Sequence, residues 1–154
     1  MRFFLAGIII LLLSACLSEP DCLVIATNNL RISLKNAGTG AAQKVLFSFI
    51  KVSGTDTTFF SKDSVTALIL PVDPLAPRTT FKFKYGTVLN SKPVLRTDSV
   101  TVAYATQIVI ISPSCGAAVY HTNLTVFATS FTIEPKVVNS QLSTRATSNL
   151  EIKL

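Results

Sequence analysis

Few of the 154 residues are equipped for chemistry: one histidine, three cysteines and eight carboxylates, set against 14 lysines and arginines. His121 lies in Ala118-Val119-Tyr120-His121-Thr122-Asn123. A histidine base needs a nucleophile or acid held beside it. The chain has neither a Gly-x-Ser-x-Gly elbow nor a His-Glu-x-x-His pair, so His121 is expected to be a hydrogen-bonded or surface group. The acids Glu19, Asp21, Asp56, Asp63, Asp73, Asp98, Glu134 and Glu151 are scattered and form no Asp-x-Asp-x-Asp calcium loop. Two of them meeting in space as a glycosidase pair would make a small envelope hydrolase, but no spacing singles out which two. No catalytic residue, metal site or cofactor is therefore assigned. Phe81-Lys82-Phe83-Lys84-Tyr85 interleaves rings and cations as single-strand nucleic-acid binders do. A half-buried strand produces the same order with rings inward and amines in water. That reading is preferred, and no nucleic-acid partner is expected.

The start of the chain explains one cysteine. Met1-Arg2 precedes an eleven-residue apolar run, 3–13, and then Ser14-Ala15-Cys16, the layout of a secretory signal. Eleven residues of helix cover about 16 Å, half of a bilayer's hydrocarbon thickness, too little for a permanent span. Leu13-Ser14-Ala15-Cys16 resembles the bacterial lipobox. The resemblance implies removal of residues 1–15, diacylglycerol on the Cys16 sulfur and acylation of the new amino group. It also implies membrane attachment through lipid worth roughly 30 kcal/mol at about 0.8 kcal/mol per methylene. Leu17 is not the Asp that retains enterobacterial lipoproteins at the inner membrane, which points to the outer membrane. Glu19 and Asp21 leave the periplasmic or surface face open. Residues 16–21 would be lipidated cysteine and tether, and 22–154 a single domain.

Export gives the other two cysteines a meaning. In an oxidising compartment an even pair, Cys22 and Cys115, reads as a disulfide, and closing a loop that long contributes about 4.6 kcal/mol in the chain-entropy treatment. Asp56-Thr57-Thr58, Asp63-Ser64-Val65 and Asp98-Ser99-Val100 resemble the Asp-Ser/Thr-apolar O-glycosylation acceptor of Bacteroidota, marking Thr57, Ser64 and Ser99. Loss of Arg2 leaves the anchored domain at +5. Cations near an anionic membrane surface each contribute about 1 kcal/mol of attraction.

The elements that must position these residues are strands. A mean hydropathy of +0.51 with a net charge of +6 excludes a disordered chain. Apolar residues alternate with polar ones at Leu30, Ile32 and Leu34; at Phe81, Phe83 and Tyr85; at Val100, Val102 and Tyr104; and at Leu150, Ile152 and Leu154. Apolar runs at 45–52, 65–70, 108–111 and 124–127, and the segment 129–138, add further strands. Breakers separate them at 36–40, 53–56, 71–77, 90–93 and 112–116. The expected fold is all-β: an antiparallel β-sandwich, Greek-key or immunoglobulin-like, of eight to ten short strands. Asn149-Leu150-Glu151-Ile152 echoes Asn29-Leu30-Arg31-Ile32, which predicts first and last strands of similar inside/outside pattern and termini that lie close together.

The lipobox, Cys22 ahead of Asn29-Leu30-Arg31-Ile32-Ser33-Leu34, the Leu70-Pro71 step, Ile111-Ser112-Pro113-Ser114-Cys115-Gly116 and the closing Leu150-Glu151-Ile152-Lys153-Leu154 together resemble a family of small Bacteroidota lipoproteins of unknown function. The resemblance extends over the chain beyond the signal. It implies a lipid-anchored β-domain and names no activity. The expectation is a non-catalytic envelope lipoprotein, a binding or structural module with an envelope protein or glycan as partner. The contrasting reading is the hydrolase built on carboxylates from separate strands.

Overall fold

A computed structural model describes residues 25–53, 58–59, 63–89, 92–113 and 115–154. Cys16, Cys22 and Thr57 lie outside the described residues, as do the signal and the tether. Nine strands and no helix occur among the described residues: β1 (Asn29–Lys35), β2 (Phe47–Val52), β3 (Thr58–Phe59), β4 (Ala67–Pro71), β5 (Arg78–Leu89), β6 (Lys92–Ser112), β7 (Gly116–Thr129), β8 (Lys136–Val137) and β9 (Leu150–Lys153). They form two sheets, ordered β4-β1-β9-β8 and β3-β2-β5-β6-β7.

The period of two decides which side chains go inward. Leu30, Ile32 and Leu34 of β1 are buried, while Arg31, Ser33 and Lys35 between them stay partly exposed. Phe81, Phe83 and Tyr85 alternate in the same way on β5, as do Val100, Val102 and Tyr104 on β6. One cluster of buried apolar side chains draws on both sheets. Its centre is aromatic: Phe83 lies 5.9 Å from Phe47 and 5.8 Å from Phe131, ring centre to ring centre. The rings of Phe81-Lys82-Phe83-Lys84-Tyr85 are thus core groups, with Lys82 in solvent.

Two sequence expectations are corrected. The strands are not uniformly short. β5, β6 and β7 have 12, 21 and 14 residues, because segments that look separate in the sequence are joined by one ladder. Val100–Tyr104 alternation and the 108–111 run both belong to β6, and Pro93, read as a breaker, lies inside it opposite Val88. Conversely, 129–138 is not a single strand: β7 ends at Thr129 and only Lys136–Val137 pairs again. Pairing is also not wholly antiparallel. β1 and β9 run parallel, with Ile32 opposite Leu150 and Leu34 opposite Ile152. The other strand pairings are antiparallel. The segments that share the echo, Asn29-Leu30-Arg31-Ile32 and Asn149-Leu150-Glu151-Ile152, fall on neighbouring strands, a pairing that the shared pattern alone does not set. They are offset by two residues, a shift that keeps every side chain on its own face.

Breakers act through side-chain acceptors. Asn36 Oδ1 accepts the N–H groups of Gly38 and Thr39 at 3.0 and 2.9 Å, closing the turn after β1. Gly116 opens β7 at φ +71° and Asn123 interrupts it at φ +55°. At Asn123 the β6–β7 register slips by one residue, from Ala103↔Thr125 to Ala105↔Thr122, a bulge that fits the tolerance of Asn for left-handed backbone.

The parallel pair is locked by Asn149, which is 0% exposed. Its Oδ1 accepts the Arg31 N–H at 3.1 Å, and its Nδ2 donates to the carbonyls of Gln141 and Asn139 at 2.8 and 3.3 Å. Asn149→Ala leaves a buried donor and carbonyls without partners and is expected to cost about 3 kcal/mol, read as a lower urea midpoint at unchanged slope. A loss under about 1 kcal/mol would show that water substitutes for the amide.

Candidate functional site

The one buried acid among the described residues is Asp98, 4% exposed. It occupies an inward position, in phase with Val100, Val102 and Tyr104 on β6. An inward carboxylate must be paired and hydrogen-bonded. Tyr85 Oη donates to Asp98 Oδ2 at 2.7 Å, Ser130 Oγ donates to Oδ1 at 3.3 Å, and Arg96 Nε lies 3.4 Å from Oδ2. β5 and β6 supply this geometry directly, since Phe83 stands opposite Asp98 and Tyr85 opposite Arg96. The Tyr85 phenol is held well above its ordinary value of 10.0, first by burial and then by the hydrogen bond to Asp98 and its charge, with Arg96 opposing. It therefore stays a donor throughout the physiological range.

Arg96 is half-exposed and reaches outward, its Nη2 donating to Thr132 Oγ1 at 3.4 Å. Together with Lys153 it lines a cleft of about 240 Å³ whose apolar wall is Phe131, Ile133 and Leu154 and whose hydroxyls are those of Tyr85, Thr87 and Thr132. Two cations beside an apolar wall suit a ligand that carries a carboxylate or another anion. The signal for this site was present in the sequence as parity: Asp98 falls in the apolar phase of its strand. What the sequence did not show was that Tyr85, Arg96 and Ser130 converge on it, because Ser130 comes from beyond β7.

His121 is 1% exposed. Its ring meets Tyr104 edge-on at 5.2 Å, and its Nδ1 lies 3.2 Å from Thr106 Oγ1, the residue opposite it across the ladder. Burial holds its pKa below the ordinary 6.5. It is a hydrogen-bonded core histidine within β7. Tyr104, raised by burial, closes a ring of bonds: Asp73 N–H donates to Thr79 Oγ1 at 2.9 Å, Thr79 Oγ1 and Tyr104 Oη lie 2.6 Å apart, and Tyr104 Oη donates to the Asp73 carbonyl at 2.6 Å.

The remaining marked residues are dispersed. Cys115 is half-buried in the β6–β7 turn, its N–H donating to Ser112 Oγ at 3.0 Å. Ser64 is exposed ahead of β4, and Ser99 is half-buried in mid-β6 opposite Lys82. Among the described residues no three His, Cys, Asp or Glu side chains gather as metal ligands.

The titrations give opposite signs at the two ends of the pH scale. His121 is harder to protonate folded than unfolded, so its contribution is intact above pH 6.5 and is lost as pH falls below it. Tyr85 keeps its proton longer folded than unfolded, so its contribution is intact below pH 10.0 and declines above it. Melting temperature is expected to fall on both sides. His121→Phe should flatten the limb between pH 6.5 and the carboxylate range, and Tyr85→Phe the alkaline limb. Tyr85→Phe should also lower stability at neutral pH by about 2 kcal/mol for the lost bond to a charged acceptor. An unchanged acid limb in His121→Phe would assign that limb to other groups.

Residues 47–154 match a family of unknown function, DUF6452. The matched region takes in β2 through β9 and begins after Cys22 and β1, so it covers less than the sequence resemblance implied. No curated protein and no solved structure matches the chain.

Proposed function

The chain belongs to the DUF6452 family of unknown function, and from that premise we propose that it is a lipid-anchored outer-membrane lipoprotein whose β-sandwich is a non-catalytic binding or structural module. The observation that carries the non-catalytic reading is the engagement of Asp98. Among the described residues the most sequestered carboxylate is surrounded by Tyr85, Arg96 and Ser130 and works as a core counter-ion. His121 is likewise committed to Thr106 and Tyr104. The sandwich reading is supported by the apolar cluster shared between the sheets. Binding is supported by the cleft with Arg96 and Lys153 at its rim, suited to an envelope protein or glycan that offers an anion. Attachment is supported by the sequence Leu13-Ser14-Ala15-Cys16 behind its apolar run. Cys22 and Cys115 form the disulfide in this reading, and exposed Ser64 is the most accessible of the glycosylation acceptors among the described residues.

Radiolabelled palmitate is expected to enter the wild-type protein in its native host and to be absent from Cys16→Ser, which should leave the membrane fraction. A Cys16→Ser protein that remains with membranes after a salt wash would overturn the anchor. In the same preparations, peptide mapping without reduction should yield Cys22 joined to Cys115. Crosslinking in intact cells should bring down a partner that is lost in Arg96→Glu/Lys153→Glu.

A further inference from the structure

The 21 residues of β6 outrun the strands that flank it. Pairing with β5 begins at Arg78↔Ala103, and the Tyr104 N–H still reaches the Pro77 carbonyl at 3.1 Å; beyond that, the strand that the described residues pair with β6 is β7, from Ala105↔Thr122 to Ser112↔Gly116. This two-stranded arm is about 25 Å long at roughly 3.3 Å per residue. One of its faces carries Thr106 and His121 near the body, then Ile108 opposite Val119, then Ile110 opposite Ala117. Ile108 is 71% exposed and Ile110 79%.

An arm of this kind in water is ordinarily guarded by charge, since lysines and acids keep open strand edges from sticking. Here residues 99–133 contain no Asp, Glu, Lys or Arg at all. The same face meets two other segments. Ala26, Thr27 and Asn28 share a cleft with Val119, His121 and Pro74. The loop after β4, clasped by the Asp73–Thr79–Tyr104 ring of bonds, lies along Tyr104, Ala105 and Thr106 and leaves Leu75 95% exposed. The described chain therefore begins beside this face: the Ile25 carbonyl accepts the Thr144 N–H at 2.9 Å, and Ala26 bridges Ser143.

We infer that the β6–β7 arm and Leu75 rest on the phospholipid surface of the membrane that carries the anchor, with Ile108, Ile110 and Leu75 inserted at the headgroup level. The inference builds on the lipoprotein reading. Cys16 is nine residues from Ile25, so the lipid lies within about 30 Å of Ile25 even along a fully extended chain. A tether that short brings the face around Ile25 to the bilayer. That face bears exposed aliphatic side chains and an uncharged hairpin, which lose little by leaving water and gain from apolar burial.

The chain has no tryptophan, so single-tryptophan variants report position directly. Ile110→Trp, Leu75→Trp and Leu95→Trp are made in the full-length lipidated protein. All three sites are exposed, and Leu95 lies 15 residues from Ile110 on β6, roughly 50 Å along the strand. Each is reconstituted in phosphatidylethanolamine–phosphatidylglycerol vesicles with and without brominated acyl chains. Flotation and the N-terminal peptide mass report the anchor independently. The expected result is flotation of all three, with emission from Ile110→Trp and Leu75→Trp reduced about twofold by bromine at insertion depths of about 5–10 Å, and Leu95→Trp unaffected. Flotation with no quenching at Ile110, or with equal quenching at Leu95, overturns the inference and leaves the anchor standing. Protection of Ile110→Trp from both bromolipid and aqueous acrylamide, together with crosslinked dimers, overturns it in favour of a second copy. Failure to float removes the anchor and the inference with it.

Discussion

The parallel contact between β1 and β9 is the join on which the smaller sheet depends. Each strand has an antiparallel neighbour on its far side, β4 or β8, and without the join these would be two separate ribbons. Isolated two-stranded ribbons are marginal in water. Asn149 makes the join specific, because its side chain satisfies one N–H on β1 and two carbonyls in the segment that leads back to β9. Ser148 adds bonds to the Leu150 carbonyl and Ser33 Oγ. Leu30, Ile32, Leu34, Leu150 and Ile152 then present one apolar face, all of them buried.

β6 organises the larger sheet in a complementary way. Its middle supplies Val100 and Val102 to the core, while its ends extend past the strands that cover that core. The transitions are marked by polar groups on the inward face. At one end Asp98 is tied to Tyr85, Arg96 and Ser130. At the other, Tyr104 is tied to Thr79 and the Asp73 carbonyl, next to His121. Both arrangements satisfy polar atoms at the boundary between apolar interior and water, where an unpaired group would cost about 1–3 kcal/mol. The residues with the most obvious chemical potential are thus placed where the architecture needs hydrogen bonds.

In the proposed reading, function lies at the surface. The cleft beside Arg96 and Lys153 and the uncharged arm beyond Ala103 stand toward opposite ends of β6. A lipid anchor emerging near Ile25 would hold the arm to the membrane and turn the cleft away from it, a division of labour that suits a module presenting a binding site at a fixed distance from the bilayer.

Much of the fold was legible in the sequence because strand faces follow a period of two. The burial of Leu30, Ile32 and Leu34, of Phe81, Phe83 and Tyr85, and of Leu150 and Ile152 needed nothing more. The aromatic and cationic residues of β5 could be sorted into core and solvent on the same ground. Local composition also marked the turns at Asn36-Ala37-Gly38 and at Cys115-Gly116. Strand length and partner were not legible. Whether Pro93 ends a strand or sits inside one depends on whether a neighbouring strand requires an N–H donor at that position, since proline has none, and whether β1 and β9 run parallel depends on which sheet the intervening chain crosses. The convergence on Asp98 was hidden for the same reason: the hydroxyls that bond to it lie 13 residues before it and 32 after it. The sequence by itself determined the alternation, the scarcity of reactive groups and the character of the first 16 residues, all of which are local properties of side chains. Only the tertiary structure decided that β6 outruns its neighbours and that Asp98 is fully engaged, because ladder length and hydrogen-bond satisfaction belong to the contacts between distant segments.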